Sequence, residues 1–256
     1  MRAYSANKAL GQHFLADKNT AVKIVKSLHE KLNHPNVLEL GPGQGALTGL
    51  LIELEDIDLK VIDVDPRSIE LIENKFPQLS GGLITADFLR YDISKIFNKP
   101  FSIIGNFPYN ISSQILFKVL KHRDQVDLVV GMFQREVAER ITSDPGSKQY
   151  GILSVLCQAY YHLELLFSVN ETVFVPQPKV KSAVIRLTRN TVASLECDEN
   201  LFSAVVKQGF NQRRKTLRNS LKSLIKDPSL AKHSLMAKRP EQLGIAEFIE
   251  LTKLLE

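Results

Sequence analysis

Asn106-Phe107-Pro108-Tyr109 follows an apolar run (Phe101, Ile103, Ile104) and combines residue types that suit the grip of a planar base bearing an exocyclic amine. The Asn106 side-chain carbonyl accepts one amine hydrogen. Pro108 fixes its own φ, lacks an N–H, and drives Phe107 into an extended conformation, so nearby backbone carbonyls are held rigid. One of them can accept the second hydrogen. Tyr109 offers a ring face for stacking. The same four residues also fit a strand that ends in an ordinary proline turn, with an aromatic tucked into the core. The rest of the chain has to choose.

Glu39-Leu40-Gly41-Pro42-Gly43-Gln44-Gly45 sits between a short apolar stretch and a helical pattern. Glycines there let the backbone turn tightly and approach a ligand. Asp63 and Asp65 end the next apolar stretch, where a carboxylate can take both hydroxyls of a ribose. Gly41, Gly43 and Ala46 satisfy a dinucleotide pattern as well, so this motif fits hydride transfer and methyl transfer alike. Pro42 is unusual for a pyrophosphate cradle, which wants free N–H groups. Asp87, in Ala86-Asp87-Phe88-Leu89, stands at a third such end. Gly41, Asp63, Asp87 and Asn106 therefore fall at successive strand ends, which suggests one cleft running from nucleoside to reacting base. The N-terminal stretch Lys8 to Leu15 mixes a glycine, polar residues and apolar anchors, as a packing arm or a lid over a ligand would.

From Leu201 to Lys226 there are seven Lys/Arg and no Asp or Glu. Leu217, Leu221 and Leu224 read as the buried face of a helix, with Arg214, Arg218 and Lys222 four apart on another. Such a stripe can track a phosphate backbone, whereas a merely solvated helix interleaves acids. Phe174-Val175-Pro176-Gln177-Pro178 is a rigid loop with an aromatic that could wall a base pocket or simply join two strands.

Elements that would position these residues follow from periodicity. Strands are expected at 37–40, 58–64, 83–85, 101–104, 127–133 and 184–187, with helices between them at 17–32, 46–54, 66–76, 112–120 and 136–141. This alternation marks a doubly wound, mostly parallel α/β sheet. Beyond residue 188 the pattern turns helical, ending in a helix at 245–255. The chain is therefore divided into 1–188, carrying the cleft, and 189–256, a small all-helical domain. Of the 256 residues 44% are apolar, enough to build a core and too many for a disordered chain. A net charge of +5 is compatible with a nucleic-acid partner. Cys157 and Cys197 stand alone, the histidines show no metal-ligand spacing, and no apolar run is long enough to span a bilayer. These features suit a reducing, cytoplasmic setting, with no metal and no membrane partner. A monomer is expected, because no long apolar stripe is left over.

Taken in order, Lys8–Leu15, 39–45, 106–109, 134–140, 174–187, 213–221 and 239–243 resemble the KsgA-type small-subunit ribosomal RNA adenine dimethyltransferases over nearly the whole chain. The resemblance implies a Rossmann-like class I methyltransferase domain with a helical RNA-binding domain. It implies S-adenosylmethionine as methyl donor, and as substrate two adjacent adenosines near the 3′ end of 16S rRNA in an immature small subunit, each dimethylated at N6. It places the donor on His13, Leu15, Gly41, Asp63, Asp87 and Asn106, and the chemistry on Asn106, Pro108 and Tyr109. Phe107, Tyr109 and Phe174 are expected around the base, and Arg213, Arg214, Lys215, Arg218 and Lys222 on RNA. Two positions depart from the family pattern: Asp63 stands for a common Glu and Phe107 for a common Leu. Other readings are a large-subunit rRNA adenine methyltransferase, a ribosome assembly factor whose methylation is secondary or absent, and a nicotinamide oxidoreductase.

Overall fold

Apolar runs bounded by turn residues assemble a seven-stranded sheet. The computed structural model describes residues 6–7 and 10–256; Lys8 and Ala9 of the arm lie outside the described residues. The elements are β1 (Phe14–Leu15), α1 (Lys18–His29), β2 (Asn36–Leu40), α2 (Thr48–Leu51), β3 (Asp58–Asp63), α3 (Pro66–Lys75), β4 (Leu83–Thr85), β5 (Phe101–Asn106), α4 (Ser112–Lys121), β6 (Val126–Gln134), α5 (Arg135–Thr142), α6 (Ile152–Gln158), β7 (Tyr161–Val169), β8 (Phe174–Val175), β9 (Ser182–Arg189), α7 (Glu199–Asn211), α8 (Leu217–Ser220), α9 (Ser234–Ala237) and α10 (Ile245–Leu255).

The large sheet runs β4-β3-β2-β5-β6-β9-β7, and β1 pairs with β8 in a separate two-stranded ribbon. β2 is parallel to both β3 and β5, β3 to β4, and β5 to β6, while β9 runs antiparallel beside β6. The doubly wound expectation holds. The central strands β2 and β5 are buried almost end to end, as strands covered on both faces must be. Helix starts are set by local chemistry. Asp17 caps α1 by accepting the Thr20 N–H at 2.6 Å, and Asp65 caps α3, whose first residue is Pro66.

The chain divides into two compact units. The first comprises 1–138 and 162–189, the second 139–161 and 190–256. The sequence pattern places its boundary near 189, between 1–188 and 189–256. Residues 139–161, however, group with the helical unit: their apolar positions serve a helical core, as Tyr150 does by packing edge-on against Phe210. In that second unit Phe202, Val205, Leu217, Leu221, Phe248 and Leu251 are buried.

Two expected helices are shorter than their periodicity. The 46–54 pattern yields regular helix only over Thr48–Leu51, with tighter turns on each side (Leu50 N–H to the Leu47 carbonyl, Leu54 to Leu51). The helix expected around Leu217, Leu221 and Leu224 is regular only over Leu217–Ser220. Thr216 is extended (φ −68°, ψ 154°) and Leu217 N–H bonds the Lys238 carbonyl, so α8 starts afresh.

The Phe107 ring is 1% exposed and lies edge-on to Phe133, with centroids 5.2 Å apart. Room for it comes from Gly131, where a Cβ would lie 2.3 Å from Phe107 Cε2. Gly131→Ala is therefore expected to cost ~1–3 kcal/mol through overpacking. Adding Phe107→Leu should return part of that loss, a coupling of about 0.5 kcal/mol or more in a double-mutant cycle by urea unfolding. A Gly131→Ala chain as stable as the wild type would contradict the packing account.

Candidate functional site at the carboxyl ends of the parallel strands

The chain leaves β2 for β3 on one side and returns to β5 on the other, so the sheet has its topological switch between β2 and β5. Ligands of open α/β sheets lie beyond the strand ends at such a switch. A cavity of about 250 Å³ opens there. Its walls include His13, Leu15, Gly41, Asp63, Asp87, Asn106, Phe107, Pro108 and Tyr109. Because the strands are ordered β4-β3-β2-β5, the key residues line up across the cleft as Asp87, Asp63, Gly41, Asn106.

Gly41 has φ +69°, and a Cβ there would meet nothing within 4 Å. The backbone is left open to a ligand at the one conformation L side chains avoid. Asp63 accepts the Asp65 N–H at 2.9 Å, and burial pushes its carboxyl up from the usual range. The two acids of this segment have separate tasks. Asp65 is 4% exposed, takes Arg67 at 2.7 and 2.9 Å, and belongs to the helix cap; Asp63 faces the cavity. Asp87 Oδ1 accepts the Leu89 N–H at 2.9 Å, which closes a turn that sets both residues on the wall.

Asn106 donates its amide N–H to the His13 carbonyl at 2.7 Å. With the nitrogen committed, its side-chain oxygen is the acceptor left for a ligand. The Pro108 carbonyl takes the Ile111 N–H at 3.1 Å and keeps a second lone pair. Tyr109 is held by a 2.6 Å bond between its hydroxyl and Ser182, and its ring lies 5.7 Å from that of His13 at an interplanar angle of 26°. Burial raises the Tyr109 phenol, so the hydroxyl stays protonated.

Residues 12–15 of the arm are anchored rather than loose. Phe14 and Leu15 pair with Val175 and Phe174 in the small ribbon. His13 Nδ1–H donates to the Pro176 carbonyl at 2.7 Å, and Gln12 donates to Asp65 at 3.3 Å. The two-proline loop thus acts on the site through His13. Phe174 itself does not wall the pocket. It is 2% exposed and packs in the core with Leu15, because alternation along β8 sends Phe174 inward and Val175 (62% exposed) outward.

The basic segment is also corrected in part. Arg213 turns inward, donating to the Ser147 carbonyl at 3.0 Å and lying 3.9 Å from the Glu241 carboxylate. Arg214, Lys215, Arg218 and Lys222 are exposed, on the turn before α8, on α8 and on the turn after it, rather than on one continuous helix.

Glu39 carries no role in the expectations from sequence, yet it lines the cavity while being 1% exposed. Thr48 donates to one of its oxygens at 2.7 Å, and the other has no partner among the described residues. A lone acid within an apolar strand (Val37, Leu38, Leu40) is the signal that could have found it. Among the described residues no group of three His, Cys, Asp or Glu is placed to hold a metal, and no helix is long and apolar enough to cross a membrane.

The profile of ribosomal RNA adenine dimethylases matches residues 3–256. The chain belongs to that family. A ribosomal RNA small subunit methyltransferase A of Parabacteroides distasonis is 53% identical, covering 98% of this chain and 94% of the relative. One of the same name from Flavobacterium johnsoniae is 51% identical, covering 100% and 98%. Among solved structures, a dimethyladenosine transferase from Plasmodium falciparum superimposes with TM-score 0.79 at 25% identity, covering 93% and 96% of the two chains. The 23S rRNA methyltransferase ErmE gives 0.69 at 27% identity, covering 94% and 99%. Membership in this dimethylase family makes the chain an rRNA methyltransferase and removes the oxidoreductase reading.

Burial holds the Glu39 carboxyl at about 7, against 4.5 for a free glutamate. The folded state then keeps a proton that the unfolded state gives up. Ionising Glu39 costs nothing below about pH 4.5, and the cost is complete above pH 7. Relative to Glu39→Gln, the wild-type chain should lose on the order of 2 kcal/mol between pH 5 and 8 in denaturant unfolding without ligand. Parallel pH profiles for the two proteins would place the proton elsewhere.

Proposed function

We propose that this chain transfers methyl groups from S-adenosylmethionine to N6 of two adjacent adenosines near the 3′ end of small-subunit rRNA, giving N6,N6-dimethyladenosine. The observation that carries the reading is the Asn106 amide, whose nitrogen is tied to His13 and whose oxygen remains as an acceptor beside Pro108 and Tyr109. The identities near 50% to small-subunit relatives, against 27% to the 23S enzyme, favour the small-subunit substrate.

The residues of the cleft fit the donor. Its ribose hydroxyls would meet Asp63, its purine the Asp87–Leu89 wall, and its ammonium the Glu39 oxygen that has no partner among the described residues. Gly41 lets the donor lie against the backbone. When bound, S-adenosylmethionine supplies a methyl made electrophilic by its sulfonium, so the transfer itself calls for no metal. The adenine amine is a poor nucleophile because its lone pair is delocalised into the ring. Asn106 Oδ1 and the free lone pair of the Pro108 carbonyl accept its two hydrogens, which favours a pyramidal nitrogen and aims its lone pair. This is positioning together with electrostatic stabilisation. Tyr109, braced through Ser182, stacks on the base, which has to leave its own stack to enter.

The exposed cations around α8 hold the RNA, and the same contacts serve a role in small-subunit assembly. The chain works as a monomer in the cytoplasm.

Methyl transfer from labelled donor to unmodified small subunits, followed by nucleoside analysis, tests the reaction. Dimethyladenosine is the expected product, and Asn106→Ala is expected to lower kcat by about 10²–10³. Near-normal turnover by that variant would overturn the mechanism. For RNA binding, replacing Arg214, Arg218 and Lys222 together by Ala should flatten the log K against log salt dependence by about three, roughly one per lost phosphate contact. Arg213→Ala should change the slope less than each of these, since that guanidinium is partly engaged by Ser147 and Glu241. Equal slopes for the triple variant and the wild type would remove α8 from the RNA interface.

A further inference from the structure

The crossover between β4 and β5 contains no α-helix; its one regular piece is a single 3₁₀ turn, Ile93–Lys95. A crossover between parallel strands usually returns through a helix, which satisfies its own carbonyls. Here donors must come from elsewhere, because unpaired backbone groups are costly when withdrawn from water. Lysines supply them at both ends. On α4, Lys118 Nζ donates to the Phe88 carbonyl at 2.6 Å and to the Tyr91 carbonyl, and it lies 5.1 Å from the centroid of the Phe88 ring. On β3, Lys60 Nζ donates to the Ile96 carbonyl and lies 4.6 Å from the centroid of the Phe97 ring. Each ammonium thus binds a carbonyl of the crossover and the face of one of its phenylalanines, a pairing that strengthens with desolvation.

The two ends differ in what they hold. Phe88 and Tyr91 belong to the turn 87–91 that carries Asp87 and Leu89 on the cavity wall. The Tyr91 N–H also bonds the Asp87 carbonyl at 2.9 Å, so the route from Lys118 to Asp87 is a short series of hydrogen bonds. Neither Ile96 nor Phe97 lines the cavity. We propose that Lys118 is a positioning residue for donor binding, fixing the 87–91 turn that presents Asp87 and Leu89, while Lys60 secures the far end of the crossover for stability alone. This rests on the reading of the cavity as the donor site. Burial draws the Lys118 ammonium below the usual lysine range, against the opposing pull of Asp87 and Asp92.

The test compares Lys118→Met with Lys60→Met in the full-length protein, since methionine keeps an apolar stem and removes the charge and its donors. Calorimetric titration with S-adenosylmethionine should show Kd raised about tenfold or more in Lys118→Met, the scale of a lost charge-assisted hydrogen bond. The KM for donor should rise in step, with kcat at saturating donor within about threefold of wild type. Lys118→Arg should recover part of the affinity. Lys60→Met should lower the melting temperature and leave Kd within about twofold. Hydrogen exchange read without donor adds an independent arm: amides of 87–91 should lose protection in Lys118→Met and keep it in Lys60→Met. Unchanged Kd in Lys118→Met, or equal affinity losses in the two variants, would overturn the assignment. So would a Lys118→Met chain that fails to fold, because Lys118 would then be a general structural residue. A wild-type chain that does not bind the donor would instead overturn the reading of the cavity, while the exchange arm still reports on the turn.

Discussion

One hydrogen bond, from the Asn106 amide to the His13 carbonyl, fixes which end of the Asn106 side chain is committed to the arm. An asparagine side chain is ambivalent: its two ends differ only in donating or accepting. Here the arm resolves the ambiguity by offering a carbonyl, which can only accept. The nitrogen must face the arm and the oxygen is left for the ligand. The arm is in turn held by its pairing with β8 and by the Pro176 carbonyl on His13. The chemical polarity of the site is thus set by two pieces of irregular backbone brought to the end of β5, while the sheet supplies their position.

The sheet contributes order and a low dielectric. Four neighbouring strand ends set out a row of acid, acid, open glycine and amide. Asp63 of that row and Glu39 beside Gly41 are buried closely enough that both carboxyls hold protons more tightly than free ones, for the first reason that they have left water. The strain is tolerable because each retains a local donor, Thr48 for Glu39 and the Asp65 N–H for Asp63. A cationic ligand would find there a carboxylate whose solvation has already been given up.

Much of this is legible in the chain. The alternating pattern predicts the parallel core, and Gly41, Asp63, Asp87 and Asn106 are recognisable because each ends an apolar run before a turn. What periodicity does not show lies where side chains serve both faces or neither. β7 escapes it because His162 to Phe167 mixes exposed and half-buried apolar residues, Leu165 at 45% exposure among them, as an edge strand does. α6 lies in a stretch assigned to no element. Phe174 looks like an aromatic at the mouth of a loop, but a two-residue strand turns it inward. Arg213 has the same sequence signature as Arg214, and only the fold reveals that Ser147 and Glu241 have claimed it. Glu39 is visible as an odd acid in an apolar strand, but its meaning depends on a burial that no spacing encodes.

The ribbon formed by β1 and β8 joins the arm near the start of the chain to a segment some 160 positions later. Synthesis runs from one to the other. A nascent chain that has exposed β2 to β5 already owns the glycine turn, the acids and Asn106, but it lacks the strand that pairs with Phe14 and the carbonyl that holds the His13 ring. Until Phe174 to Pro176 emerge, the arm has no register and Asn106 has no fixed partner. A protein whose substrate is part of the translation machinery is therefore kept from completing its own site until most of it has left that machinery.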